Sequence, residues 1–197
     1  VVSGLTSNDV VNLWRHLSAH YGTTVIPKET SPLMRACGSA LALARIQSRD
    51  QFMQHYTTVI HKRIYLPYAL DEPAPDYVLW RRVATGIHEH QHVAQAIRDG
   101  FARFASAYLA SQRARAVYEA EAYGCDIEIM RWAGRSVRSA ESIADGLAEY
   151  GCKVASREVA LRILRGYEAD TGPPRNEATR VATTWLAENV AGECLET

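Results

Sequence analysis

Leu79, Val83, Ile87, Ala94 and Ile97 recur at intervals of three, four or seven residues along residues 76–99, with Val93 at the edge of the same side. At about 100° per residue these positions form one apolar face of a long helix. The pattern predicts that Asp76 caps this helix and Gly100 stops it. Upstream, Val10, Leu13, Trp14 and Leu17 predict an amphipathic helix capped by Ser7-Asn8-Asp9 and ending near Tyr21-Gly22. TTVI at 23–26 predicts a strand stopped by Pro27. A helical pattern follows from Ser31-Pro32, interrupted around Gly38, and Ser48 to His55 predicts a brief helix.

YTTVIHKRIYLPY, residues 56–68, is dense in Thr, Val, Ile and Tyr and predicts one strand or a tight pair. Pro67 has no N–H to give a ladder, which favours an edge or a strand end. DEPAPD at 71–76 forms a turn-rich linker. Ala116, Ala120, Tyr123, Ile127 and Met130 mark a second strong helix within residues 113–134. From Phe101 the pattern is helical to the end, with breaks expected at Gly134, Ser136–Ser139, Gly151 and the TGPP of 171–174. No internal repeat or low-complexity segment is present. The expected fold class is α+β, mostly helical, with a small sheet near the front.

Composition narrows the function classes. The chain of 197 residues suits one domain, or one domain with a helical extension. Its 47% hydrophobic and 22% charged content are those of an ordinary globular protein. Acidic and basic residues balance at 22 each, which argues against nucleic acid as a partner. No apolar stretch approaches the ~20 residues that span a bilayer. The chain opens VVSGLTSNDV with neither Met nor a signal pattern, as expected of a processed form, and the compartment stays open. Cys37, Cys125, Cys152 and Cys194 are widely spaced with no CxxC, so neither a zinc ribbon nor a dense disulfide framework is expected. One or two disulfides remain compatible with that spacing. Cys125 and Cys152 are expected to be buried small apolar residues.

The candidate chemistry lies within the long helix, in GIHEHQHVAQ at 86–95. His88 and His92 stand one turn apart on the side opposite the apolar face, with Ala84 and Gln95. His90 points towards the apolar side and is expected to be structural. Two histidines at i and i+4 can chelate one ion, and Glu89 beside them can reach a metal-bound water. This is H-E-x-x-H on a helix, the arrangement in which two histidines hold zinc and the glutamate is general base. The competing explanation is a solvated polar face.

A catalytic zinc site usually takes three protein ligands. In the second helix, Glu119 and Glu121 are about 200° apart. Glu119 borders the apolar stripe, with Asp126 two turns on along the same side, whereas Glu121 points away beside Glu128. A carboxylate entering a partly buried site needs a partner, and a metal would supply one. Glu119 is therefore preferred as third ligand over Glu121, against the simpler alternative of a salt bridge from Glu119 to Arg115.

On His88, Glu89, His92 and the following Glu119-Ala120-Glu121-Ala122, the chain resembles the gluzincin metallopeptidases, in particular their small members. These carry HExxH on one helix and a glutamate, often within ExxA, on a later one. HEHQHVAQ, continuing to Gln95, is similar to compact bacterial relatives. TTVIHKRIYLPY is similar to the edge strand that borders their substrate cleft. The resemblance covers roughly residues 50–135. It implies a zincin-like metallopeptidase domain over 1–135, with 136–197 as a C-terminal helical extension packed on it. One departure stands out: many gluzincins place an aspartate four residues after the ligand glutamate to orient a zinc histidine, and this chain has Tyr123 there. Asp126, or the Tyr123 hydroxyl, is the candidate substitute. His55, His61 and Tyr123 are candidates to stabilise an oxyanion.

The function expected from these residues is a zinc metallopeptidase. Zn2+ is held by His88, His92 and Glu119, Glu89 acts as general base toward a zinc-bound water, and an extended peptide adds along residues 56–66. Three alternatives stand beside it: a zinc-binding homologue serving as a binding or regulatory module, a zinc hydrolase of a non-peptide amide, and a helical interaction domain without metal. The helices of 137–190 are expected to be scaffold.

Overall fold

The computed structural model of the chain describes residues 4–43 and 48–190; Cys194 and the opening Val1-Val2-Ser3 lie outside them. It has the expected α+β class, mostly helical with one three-stranded sheet. Helix α1 (Ser7–Tyr21) is capped by Thr6, one residue before the expected Ser7-Asn8-Asp9 cap. Asp9 supplies the return bond: its carboxylate accepts from the Thr6 N–H at 2.8 Å while the Thr6 hydroxyl accepts from the Asp9 N–H at 3.2 Å. Strand β1 (Thr24–Pro27) then leads through a short 3-10 turn into α2 (Pro32–Leu43).

The expected interruption at Gly38 is absent, and α2 runs through it. A Cβ at Gly38 would lie 3.2 Å from both Arg49 and Phe52, so this glycine admits a close neighbour instead of breaking the helix. That neighbour is α3 (Arg49–His55), whose N-terminus is capped by Ser48. Residues 56–68 form a pair of strands, β2 (Thr58–Ile60) and β3 (Arg63–Leu66). They are antiparallel, with Val59 opposite Ile64, and turn at His61, which adopts a left-handed φ of 56°. Strand β1 pairs with β3 in parallel, so the order is β1-β3-β2 and β2 is an edge. Pro67 follows the last residue of the central strand, where no ladder bond is lost.

Helix α4 (Asp76–Asp99) begins at Pro75, which makes no side-chain cap. Asp76 is its first residue and instead pairs with Arg135. The expected apolar face holds at Leu79, Val83 and Ile87, all buried, but Ile97 is half exposed because α4 runs on past the core. Past Gly100 (φ 86°), the chain divides into α5 (Phe101–Ala110) and α6 (Gln112–Trp132). The break at Ser111 was not expected. Its signal is a cap: the Ser111 hydroxyl accepts from the Ala114 N–H at 3.2 Å. Helices α7 (Ala140–Gly146), α8 (Val154–Ala169) and α9 (Glu177–Asn189) follow, separated where Gly134, Gly151 and TGPP were expected to break the chain. Among the described residues no helix is long and apolar enough to cross a membrane, and Cys37, Cys125 and Cys152 are free thiols.

The main core joins α1, α4, α6 and α9 around Trp14, Trp80, Ile87, Ile129 and Leu186. A second packs α6 against α7 and α8 through Ala120, Ile127, Ile143 and Leu164. Both cores hold α6 against its neighbours, and α4 reaches the first from its apolar side. Trp14 sets the α1–α4 approach, its indole N–H donating to the Arg82 carbonyl at 3.1 Å. A Cβ at Gly86 would stand 2.8 Å from that indole, closer than atoms can pack. A third, smaller cluster of Met34, Phe52 and Tyr65 encloses Lys28. The Lys28 ammonium donates to the Phe52 carbonyl at 2.8 Å and lies 3.7 Å over the Phe52 ring. Burial lowers its pKa to about 8.

Two outcomes follow from this packing. Gly86→Ala should cost about 1–3 kcal/mol, as overpacking does, measured by urea unfolding; an unchanged midpoint would mean that Trp14 has room to move. Lys28→Met should raise the unfolding midpoint at pH 7. With a folded-state pKa near 8 against 10.5 for a free lysine, the charged side chain opposes folding fully below pH 8, and the opposition fades as pH rises towards 10.5. The gain from Lys28→Met should therefore shrink by pH 10; a constant or growing gain would count against this reading.

Candidate metal centre

Helices α4 and α6 bring His88, His92 and Glu119 together. One ligand atom from each lies within 4.8 Å of the others, and all three residues are buried. The imidazole rings are 4.9 Å apart and nearly perpendicular. Their Nε2 atoms face the carboxylate, His88 at 3.7 Å from Oε2 and His92 at 3.6 Å from Oε1. This donor set, two imidazoles and one carboxylate, could hold a metal ion. Glu119 is only 1% exposed, and its Oε2 has no hydrogen-bond partner. Its ion-pair partner is His88 Nε2 at 3.7 Å, a distance beyond hydrogen-bond reach.

The far side of each ring also faces an acceptor. His92 Nδ1 donates to Gln95 Oε1 at 2.9 Å, three residues along the same helix. Gln95 is fixed in turn by donating to the Tyr118 carbonyl at 2.9 Å and to Glu121 Oε2 at 3.0 Å. His88 Nδ1 lies 3.4 Å from Asp126 Oδ1. With Nδ1 facing an acceptor, each ring presents Nε2 to the centre. Of the two candidates to orient His88, then, Asp126 faces the nitrogen. Tyr123 packs its ring edge-on at 4.7 Å, and its hydroxyl pairs with that of Tyr150 at 3.2 Å.

Glu121 does not face the histidines. It is half-buried, not the freely solvated charge expected, and it pairs with Arg98 at 3.1 Å while anchoring Gln95. Arg115 does not bridge to Glu119; its guanidinium donates to three backbone carbonyls, those of Tyr108 (2.9 Å), Leu109 (2.9 Å) and Tyr150 (2.8 Å). His90 is structural, as its phase implied: Nδ1 donates to the Gly86 carbonyl at 2.6 Å, Nε2 accepts from the Thr23 hydroxyl at 3.0 Å, and Trp14 packs edge-on against the ring.

Charge in the centre is tightly coupled. Burial opposes the charge on Glu119, but His92, His88 and the Tyr108 hydroxyl hold its pKa below the usual carboxylate value. Burial lowers the pKa of His92. It opposes protonation of His88 too, where Asp126 and Glu119 outweigh it and hold the pKa well above the imidazole value. Burial raises Glu89 to about 7.

These groups open onto a cavity of about 1580 Å3. Glu89, His55 and His61 line it, and so do Thr57 and the edge strand Thr58–Ile60; the central strand β3 does not. The strand contribution thus narrows from 56–66 to the β2 side. His61 stacks on Phe101 at 4.1 Å. Two walls were missed in the sequence. Phe104 and Tyr108 come from α5, which is separated by Gly100 from the helix that carries the histidines. Arg138, Ile143, Glu149 and Tyr150 come from the region expected to be only scaffold. Tyr150 carried no signal, since only the return of the chain past α7 brings it to Tyr123. For Gln95 the signal was its i+3 spacing from His92.

No family model, no curated protein and no solved structure matches the chain.

If the three residues hold an ion, chelator-treated protein should rebind about one Zn2+ per chain, read by competition with a chromogenic chelator. His88→Ala and Glu119→Ala should lose that binding, and Glu121→Ala should keep it to within about the 10–100-fold reserved for residues that only orient ligands. Equal loss in Glu119→Ala and Glu121→Ala would reject the geometry.

Proposed function

We propose that the protein is a zinc-dependent hydrolase of peptide bonds, a metallopeptidase of the gluzincin type. The observation that carries this reading is the convergence of two imidazoles on a buried carboxylate whose Oε2 accepts no hydrogen bond, with Gln95 bonded behind His92 and Asp126 3.4 Å behind His88. A buried carboxylate of this kind is stabilised by a cation, and a metal ion among the three residues would supply one more closely than the imidazoles at 3.6 and 3.7 Å. Zn2+ held by His88, His92 and Glu119 would lower the pKa of a water and polarise the scissile carbonyl.

The chain's own groups supply the rest. Asp126 and Gln95 keep the histidine tautomers fixed. Glu89 follows His88 directly and lines the same cavity, so it can take the proton of an attacking water and return it to the leaving amine. Strand β2 pairs with β3 on one side only. Its other edge offers main-chain donors and acceptors to an extended peptide lying in the cavity, which favours peptides over small amides as substrates.

Glu89→Gln keeps the size and polarity of the side chain and removes the base. It should lower turnover of an unfolded protein substrate by about 10²–10⁴-fold, the usual worth of a general base, while zinc content is unchanged. Loss of zinc together with activity would count against the role given to Glu89. Bound zinc with no cleavage by the wild-type protein would favour a binding module built on the same site.

A further inference from the structure

Helix α5 closes one side of the cavity with little packing of its own. None of its residues is fully buried, and it runs between Gly100, at φ 86° and ψ 130°, and the extended Ser111. Its inner side nevertheless carries an aromatic pair. Phe104 and Tyr108 lie 5.8 Å apart, and their rings stand 6.3 and 6.1 Å from that of His92. Phe104 also packs on Tyr118 at 4.7 Å. The Tyr108 hydroxyl donates to Oε1 of Glu119, the oxygen on the His92 side, and it is the only hydrogen-bond donor to that carboxylate among the described residues.

We infer that Tyr108 is a positioning residue for the metal: by holding Oε1 it presents Oε2 as the single carboxylate ligand atom, and it ties the docking of α5 to occupation of the centre. The inference rests on the metallohydrolase reading. A carboxylate is free to rotate about its last bond, and a phenol donating to one oxygen of the ionised group removes that freedom through a charge-assisted bond. Water is a poor substitute donor, because Glu119 is 1% exposed. The coupling is reciprocal. Whatever factor Tyr108 contributes to ion affinity, the ion must contribute to the docking of α5. A residue that merely satisfied a buried charge would stabilise the fold and leave metal affinity alone.

The test compares wild-type protein with Tyr108→Phe, which keeps the ring contacts to Phe104 and His92 and removes only the donor. Zn2+ affinity is read by chelator competition, the ligand field by the visible absorption of the Co2+-substituted protein, and the docking of α5 by hydrogen exchange over residues 101–110 with and without Zn2+. Tyr108→Phe should weaken Zn2+ binding about 10–100-fold and shift the cobalt bands. Zn2+ should slow exchange over 101–110 in the wild type, and less so in the variant. Unchanged affinity and unchanged cobalt bands in Tyr108→Phe would overturn the inference while leaving the metal site standing. A wild-type protein that binds no Zn2+ would overturn both. Should Tyr108→Phe not fold, the wild-type comparison decides alone: exchange over 101–110 that slows no more than that of α9 overturns the inference.

Discussion

The Glu119 carboxylate is buried between two helices with one oxygen hydrogen-bonded and the other bare, and the surrounding architecture is organised by that constraint. An ionised carboxylate out of water costs several kcal/mol unless it is compensated. The compensation comes from elements far apart in the chain: two imidazoles from α4, a phenol from α5, and behind them Gln95 and Asp126, which keep the imidazoles turned inward. Trp14 and Gly86 contribute from the opposite side of α4. They pack that helix closely against α1 over the two turns before His90, which sets the side from which the histidine pair is presented. The small sheet is subordinate to this frame and supplies one wall.

Much of the frame was legible because it is local. A helical period of 3.6 residues places His88 and His92 on one side and His90 on the other, and separates Glu119 from Glu121, without knowledge of tertiary contacts. The same arithmetic put Asp126 on the Glu119 side. The β-branched and aromatic run at 56–68 disclosed strand structure, one strand or a tight pair, and glycines and prolines marked most breaks. Where local reasoning misjudged a residue, tertiary packing had changed its meaning. Gly38 looked like a helix breaker and is a close-approach site for α3. Glu121 looked like a surface charge and is the anchor of Gln95.

The parts that escaped are those that depend on the path of the chain. Ser111 is neither glycine nor proline, so α5 and α6 read as one continuous helix, and the wall formed by Tyr108 vanished with that reading. Residues 137–150 show only amphipathic spacing, which cannot reveal that their turn comes back over the cavity. Periodicity reports which side of a helix is apolar. It is silent about what the other side meets.

Arg115 joins those two hidden walls. A single guanidinium from α6 reaches the carbonyls of Tyr108 and Leu109 at the end of α5 and that of Tyr150 beyond α7. Because all three acceptors are backbone atoms, the hydrogen bonds do not depend on the side chains at 109 and 150, whereas the Tyr108 ring also lies 5.5 Å from the guanidinium. The surfaces that would meet a ligand can therefore diversify while the frame stays closed. One arginine outside the cavity thus fixes two of its walls through backbone carbonyls, and leaves the side chains at 109 and 150 outside that constraint.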